Sequence, residues 1–208
     1  MNKTICAIAL LLFGLCSVSF AADAPQHPLL TAERLAELEK GEAVVVKAKE
    51  REGEKKGAAA SAAALAVINK PAKAVFDTLL DFEAQSEYMP RVTEVSRYDT
   101  EPGFIGVYQK LKVAWKTVEY YLRMTVKADA LQLSWTLDPA KESSIKTTDG
   151  IWTILPWGDN RSIAVYELDV DTGMAVPRFI AQALLNSDLP GVLDALKQRV
   201  ESGGTWKK

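Results

Sequence analysis

The residue types that carry out nucleophilic, metal or histidine acid–base chemistry are scarce in this sequence and poorly placed for it. The single histidine, His27, lies beside Pro28 in a polar segment, and both cysteines, Cys6 and Cys16, lie within an apolar N-terminal run. A histidine-centred triad, a thiolate nucleophile and a cysteine- or histidine-ligated metal each need such side chains within the folded domain. We therefore expect no metal, no cofactor and no catalytic residue of these kinds.

The carboxylates that share one face of a strand are expected to point to solvent rather than to form a catalytic site. Asp169 and Asp171 alternate with apolar residues, so they lie on one face, where two close carboxylates could raise each other's proton affinity. Because the apolar residues between them need the interior, the acidic face is expected to be the solvated one. Glu119 and Arg123 also share a polar face and are interpreted as a surface ion pair. No carboxylate is predicted to point inward.

The feature of the sequence that does indicate a function is a set of apolar residues with few polar atoms among them. These residues occupy alternating positions in the middle of the chain and recur at helical spacing near its end. Gln109, Tyr120 and Tyr166 are the polar side chains that we place within it. Such a set forms either a filled core or the lining of a ligand cavity with a few orienting polar groups. The candidate lining residues are Gln109, Leu111, Trp115, Tyr120, Leu122, Met124, Trp135, Trp152, Tyr166, Phe179, Ala183 and Leu184.

The N-terminal residues have the pattern of a secretory signal peptide. Lys3 precedes an apolar run from Ile5 to Phe20, and the small residue Ala21 ends it, so residues 1–21 are predicted to be removed. A lipidated Cys16 and an uncleaved anchor are alternatives, although the run is shorter than the ~20 residues that a spanning helix needs. We expect export to a bacterial periplasm, with secretion as the alternative.

The composition is that of one ordinary globular domain. The 208 residues are 48% hydrophobic and 25% charged, and the formal net charge is −2. Nucleic-acid binding depends on clustered positive charge that displaces counterions. The charge balance therefore argues against a nucleic-acid partner.

The elements that would position the apolar set begin after a short linker. Thr31 is placed to cap a short amphipathic helix that stops at Gly41, and linker and helix together occupy residues 22–42. Two strands follow, one starting at the valines from residue 44 and one over the alanine-rich residues 58–68. The alanines leave either extra room inside the protein or close backbone packing.

The middle of the chain changes from helical to alternating periodicity. Pro71 opens an amphipathic helix that ends near Asp81. Alternation over ~80 residues then predicts an antiparallel meander, with a bulge or turn at Asp149 and Gly150. The meander strands are predicted at 92–98, 105–115, 117–127, 131–137, 143–156 and 162–171.

The end of the chain returns to helical spacing. A long helix is predicted from Pro177 to Glu201, and Pro190 should kink it because proline cannot donate the backbone hydrogen bond. A ligand gate is expected at this break, from Asn186 to Pro190. Residues 202–208 are predicted to be a flexible tail.

Several stretches, taken together, resemble the helix-grip fold of the START-like, or SRPBCC, superfamily, which includes the polyketide cyclase/dehydrase and coenzyme Q-binding families. The resemblance covers about residues 43–201 and implies a START-like/SRPBCC ligand-binding domain. The matching stretches are Ile68 to Phe76 with Leu79 to Phe82, Met89 to Val92, Gly150 to Pro156, Val176 with Pro177, and Leu189 to Leu193.

The resemblance implies an α+β fold, with a curved antiparallel sheet of about six to eight strands wrapped on a long kinked C-terminal helix. It implies a protein that holds a hydrophobic small molecule or lipid, such as an isoprenoid or aromatic metabolite, between sheet and helix. With the predicted signal peptide, we expect this protein to be exported, and we expect a monomer. Alternatives are a cyclase or aromatase that uses Tyr120, Tyr166 or an inward carboxylate, and a periplasmic interaction domain without a ligand. We favour a binding protein over an enzyme, and transient membrane contact stays open.

Overall fold

The framework of the protein is a single antiparallel sheet flanked by short helices. The computed structural model describes residues 24–51, 59–113, 115–173 and 188–208. The strands are β1 (Val44–Arg51), β2 (Ala59–Ile68), β3 (Val92–Glu101), β4 (Phe104–Val113), β5 (Lys116–Lys127), β6 (Gln132–Leu137), β7 (Thr147–Pro156) and β8 (Ser162–Asp171). The helices are α1 (Ala32–Leu38), α2 (Ala72–Leu80), α3 (Gln85–Tyr88) and α4 (Leu189–Glu201).

The sheet has eight strands in the order β1-β2-β8-β7-β6-β5-β4-β3. The strands from β3 to β8 follow one another as a meander, which confirms the alternating pattern seen in the sequence. The last strand then pairs with β2, so Ala59 lies opposite Asp171 and Ile68 opposite Ser162. This long-range pairing joins the two ends of the domain in one sheet and confirms the α+β helix-grip prediction.

The alanine-rich segment is a strand, as predicted, and both of its faces are covered. Ala62, Ala64 and Ala66 belong to the main hydrophobic core on the inner face of the sheet. Leu65 and Val67 point the other way into a smaller apolar cluster, which also contains residues of α1. Strands that are buried on both faces are apolar throughout rather than alternating, which explains why this segment lacked a strand period.

The first helix forms as its capping pattern predicts. The Thr31 side chain accepts a hydrogen bond from the Arg34 backbone N–H at 3.3 Å, and Gly41 has a φ of +93°, a conformation that favours glycine. Leu38 is fully buried in the smaller apolar cluster on the outer side of β2. The helix thus covers the face of β2 that the main core leaves open.

The C-terminal helix packs its apolar stripe on the inner side of the sheet. Leu189, Leu193 and Leu196 are buried in the main core, and α4 lies against β2 and α2. Pro190 is in the first turn of α4, where a missing N–H leaves no helical hydrogen bond unmade. The first part of the predicted long helix, and the first two residues of the expected gate, fall on residues 174–187, outside the described residues.

The last residues make tertiary contacts where the sequence predicts a loose tail. The Arg199 side chain donates a hydrogen bond to the Trp206 carbonyl at 2.9 Å. The Lys208 ammonium donates one to the Met89 carbonyl at 2.7 Å, and the Lys208 backbone N–H donates to the Glu87 carbonyl at 3.1 Å. These bonds lay the end of the chain along α3.

One local prediction on the outer face, the ion pair between Glu119 and Arg123, was wrong. Glu119 pairs with Lys110 at 2.9 Å, and Arg123 pairs with Asp138 at 3.0 Å, rather than with each other. Cross-strand neighbours of opposite charge lie closer than residues four apart on one strand. The predicted surface role of these side chains holds, but the pairs join different strands.

Gly150 is neither a bulge nor a turn but an interior residue of β7. It lies directly opposite Trp135 on β6 and Leu168 on β8. A Cβ at this position would lie 2.2 Å from Cζ2 of Trp135. The glycine is therefore required by the indole that covers it, a tertiary contact between strands 15 residues apart that no local pattern reveals.

Candidate functional site

The register of the sheet brings the predicted polar residues to one face. Gln109 on β4 lies directly opposite Tyr120 on β5. Tyr166 on β8 lies between Ala64 of β2 and Trp152 of β7. Because residues directly opposite one another share a face of the sheet, these side chains all point to the inner side, where α4 packs.

Three aromatic rings form a stack at the centre of this inner face. The Tyr166 ring lies 4.2 Å from the Trp152 ring and 5.7 Å from the Trp135 ring, in nearly parallel arrangement. The Trp135 indole N–H lies 3.4 Å from the Thr148 hydroxyl and donates a hydrogen bond to it. The stack provides a broad and rigid apolar surface, and Gly150 beneath Trp135 makes room for it.

Tyr120 and Tyr166 are the two hydroxyl groups of this surface. Burial raises the pKa of both phenols, and the proximity of Tyr166 raises the pKa of Tyr120 further. Both groups therefore stay protonated at neutral pH and act as hydrogen-bond donors. They differ in this respect from a general base, which needs a pKa near the working pH.

The two phenol hydroxyls have no protein partner within the described part of the chain. Both tyrosines keep some accessible surface, although the pKa of each phenol is raised by burial among protein atoms. A fully enclosed hydroxyl would need a partner, since an unmade buried hydrogen bond costs ~1–3 kcal/mol. Among the described residues, the hydrogen-bond donor of each hydroxyl is therefore left without an acceptor on the inner side of the sheet.

The side chain of Gln109 is hydrogen-bonded to a second side-chain amide, that of Gln85, which no sequence pattern marks. Its side-chain NH₂ donates to the Gln85 side-chain oxygen at 3.1 Å, and the Gln85 NH₂ donates to the Leu79 carbonyl at 3.0 Å. Gln85 is buried in α3, a helix of only four residues. So short a helix has no periodicity to mark the buried position, and only the fold shows that this glutamine supports Gln109.

The other candidate residues divide into three groups. Leu122, Met124, Trp135 and Trp152 are buried in the main core, and Leu111 is half-buried against it. Trp115 was assigned to the inner face wrongly: β4 ends at Val113, and Trp115 lies in the turn to β5 with 75% of its surface exposed. The predicted helix residues Phe179, Ala183 and Leu184 lie outside the described residues.

The charged groups of the described residues do not gather on the inner face. Asp169 accepts a hydrogen bond from the Ser61 hydroxyl on the opposite side of the sheet from Tyr166, and Asp171 accepts one from the Gly173 N–H at 2.8 Å. Within the described residues, no three histidine, cysteine or acidic side chains are close enough to hold a metal ion. No described helix is long and apolar enough to span a bilayer. The described site can therefore offer apolar surface and neutral donors.

Comparison with solved structures relates this fold to three bacterial proteins. A STAR-related lipid transfer protein from Xanthomonas axonopodis gives a TM-score of 0.62 at 19% identity, over 76% of this chain and 93% of that one. The Zhui aromatase/cyclase from Streptomyces sp. R1128 gives 0.60 at 16% identity, over 69% and 94%. A START superfamily protein from Mycobacterium smegmatis gives 0.57 at 18% identity, over 68% and 97%.

At these identities the solved structures establish the fold alone. No curated protein matches the sequence significantly. The comparison with protein families is more specific, because residues 68–197, well over half of the chain, match one family throughout the meander and into α4. The chain belongs to the polyketide cyclase / dehydrase and lipid transport family.

Proposed function

We propose that this protein binds a hydrophobic small molecule that carries a hydrogen-bond-accepting oxygen, such as a lipid, an isoprenoid or an aromatic metabolite. The ligand lies in a cavity between the inner face of the sheet and the C-terminal helix. One observation carries the proposal: the Tyr120 and Tyr166 hydroxyls have no hydrogen-bond partner among the described residues, on a mostly apolar surface. A ligand oxygen would supply the acceptor that the protein does not.

The energetics favour binding by apolar contact with orientation by the phenols. Each ~100 Å² of apolar surface removed from water contributes about 2.5 kcal/mol. The stack of Trp135, Tyr166 and Trp152 offers a flat face for rings or chains. A neutral hydrogen bond adds about 1 kcal/mol, which fixes the orientation of the ligand more than its affinity.

The chemistry of the inner face supports a carrier rather than a catalyst. Cyclisation or dehydration requires a group that removes a proton. The two phenols have raised pKa values, so they stay protonated and donate hydrogen bonds rather than remove protons. The described carboxylates of β5, β7 and β8 lie on the opposite, outer face of the sheet; these are Glu119, Asp149, Glu167, Asp169 and Asp171.

The proposal includes the place where the protein works. The Lys3, apolar and Ala21 pattern supports export with cleavage after residue 21, and a periplasmic carrier would shelter an apolar ligand from water between two membranes. N-terminal sequencing of protein from the periplasmic fraction should begin at Ala22. An acylated Cys16 at the N-terminus would contradict a soluble carrier, and recovery only from the culture medium would indicate secretion.

The binding test uses two probes that differ only in a carbonyl oxygen, benzophenone and diphenylmethane. Calorimetry should show binding of both, with benzophenone up to about tenfold tighter, since ~1.4 kcal/mol is tenfold in affinity. The double variant Tyr120→Phe, Tyr166→Phe should bind both probes equally while keeping the affinity for diphenylmethane. Trp115→Phe, which changes only an exposed ring, is the matched control and should bind as the wild type does.

Each outcome of this test is decisive for one part of the proposal. If neither probe binds and neither raises the melting temperature, the cavity is filled and the binding function is wrong. If both bind equally to the wild type, an apolar cavity exists but the phenols do not select an oxygen. Mass spectrometry of lipids extracted from the natively purified protein then identifies the physiological ligand.

A further inference from the structure

One large apolar side chain stands apart from every core cluster. Trp115 is 75% exposed, whereas the only other exposed large hydrophobic residue in the described ranges, Val45, is 38% exposed. An isolated apolar residue at a surface is ordinary, but a tryptophan exposed to this extent leaves most of a large ring in water. The residues around Trp115 therefore say more about its role than its exposure does.

Two lysines flank this tryptophan at the end of a projecting hairpin. Val113 and Lys116 form the last cross-strand pair of β4 and β5, so Trp115 lies in the tight turn between them. Lys112 and Lys116 are both exposed. We call Lys112, Trp115 and Lys116 the hairpin tip.

The tip extends beyond the neighbouring strand and reaches the end of the sheet where α4 begins. β3 starts at Val92, opposite Leu111, and the Lys112 N–H donates to the Arg91 carbonyl at 2.9 Å. The Arg91 guanidinium in turn pairs with Asp188, the residue before α4, through a second hydrogen bond of 2.9 Å. Within the described residues, the hairpin tip therefore continues past the first paired residue of β3.

The tip is basic in sequence although the chain as a whole is acidic. Two carboxylates at this end are each held in an ion pair, Glu119 with Lys110 and Asp188 with Arg91. Residues 112–117 contain two lysines and no carboxylate, in a chain whose formal net charge is −2. The net charge of the chain does not favour a negative surface, whereas the lysines of the tip do.

We propose that the hairpin tip docks this protein on an anionic lipid bilayer. Tryptophan is enriched at membrane interfaces because its ring is apolar while its indole N–H still donates to the headgroup region. Lysines beside it are attracted by lipid phosphates, each strengthening binding about fivefold. This assignment is independent of the ligand proposal, and it would bring the start of α4, next to the expected gate, to the membrane surface.

The test measures binding of the ligand-free protein to phosphatidylcholine vesicles with and without phosphatidylglycerol. The wild type should sediment with the anionic vesicles, and brominated lipids should quench part of its tryptophan fluorescence. Trp115→Ser should weaken this binding at least tenfold and abolish the quenching. Lys112→Ser with Lys116→Ser should weaken it about 30-fold on anionic vesicles, and added salt should have the same effect in the wild type.

A matched control comes from the opposite edge of the sheet. Lys40→Ser with Val45→Ser removes one exposed lysine and the other exposed apolar residue near β1, and it should bind vesicles as the wild type does. All variants should melt within about 2 °C of the wild type, because surface changes alter stability by ~0.5 kcal/mol or less.

Three results would overturn the assignment. These are no binding of the wild type to anionic vesicles, equal binding by the Trp115→Ser variant, and loss of a dimer rather than of vesicle binding in that variant. The last would show that a second copy of the chain covers Trp115. Since no ligand is present in this test, its failure leaves the binding proposal unaffected, and failure of the probe titration leaves vesicle binding unaffected.

Discussion

Gly150→Ala tests whether the aromatic stack on the inner face depends on a missing side chain. The new Cβ would lie 2.2 and 2.5 Å from two atoms of the Trp135 indole and 2.6 Å from the Glu167 carbonyl oxygen. Carbon atoms in contact prefer ~3.5–4.0 Å, so the indole must move by more than 1 Å, on the order of a third of a contact distance. Gly150 does not have a positive φ, which leaves the steric conflict as the cause of any effect.

The expected loss is at the upper end of the range for overpacking, about 3 kcal/mol, because the indole cannot move freely. It is buried, stacks on Tyr166 and donates to Thr148. For a protein of this size each kcal/mol lowers the melting temperature by ~2–4 °C, so the variant should melt about 6–12 °C below the wild type. Thermal unfolding followed by circular dichroism measures the shift, and near-ultraviolet signals report the displaced tryptophan.

Gly191→Ala is the matched control and should change stability in the opposite direction. Its Cβ would meet nothing closer than Pro90 Cγ at 3.9 Å, and the residue lies in α4. Alanine in a helix is about 0.5–1 kcal/mol more stable than glycine. In a Trp135→Leu background, Gly150→Ala should cost at least ~1 kcal/mol less than in the wild type, because contacting residues couple. A Gly150→Ala variant that melts with the wild type would refute the packing argument.

Three further variants test the other elements. Tyr166→Phe should leave the free energy of unfolding within ~0.5 kcal/mol of the wild type, because its hydroxyl has no partner in the described chain; a larger loss in urea titration would reveal one. Leu196→Ala should cost about 2–5 kcal/mol, since the side chain is fully buried beneath the sheet; a loss below 1 kcal/mol would place α4 elsewhere. Burial alone would raise the pKa of the Asp138 carboxylate. Hydrogen bonds from Tyr98, Ala140 and Arg123 outweigh this effect and leave the pKa lowered. The stabilisation of the folded state by the ionised Asp138 carboxylate should therefore be fully present above pH ~4. It should be lost as the pH falls through the lower pKa of the folded state. Asp138→Asn should lower stability at pH 7 by about 1–2 kcal/mol, and this difference should shrink in acid unfolding; a constant difference would contradict the charge argument.

Local patterns in the sequence were sufficient where the physical cause is local. The Thr31 cap, the alternation along β5 and the end of β8 at Asp171 depend on neighbouring residues, and the structure has them as predicted. The family resemblance, carried by short stretches such as Gly150 to Pro156 and Leu189 to Leu193, correctly indicated the helix-grip fold. Strand parity predicted an inward position for Gln109, Tyr120 and Tyr166, and the register of the sheet brings all three to the same face.

Tertiary structure decided the features that depend on which strands become neighbours. The sequence predicted a bulge or turn at Gly150, but glycine is required there because the Trp135 ring of another strand covers the residue. Trp115 shared the parity of the inner face, yet the hairpin turns at that point and leaves it in solvent. Periodicity describes the side of a strand on which a residue lies, whereas the end of the strand and the contents of the space beside it are set by long-range packing. The sequence therefore determined the fold class and the face of the candidate site, and the register of the sheet determined which of its residues meet.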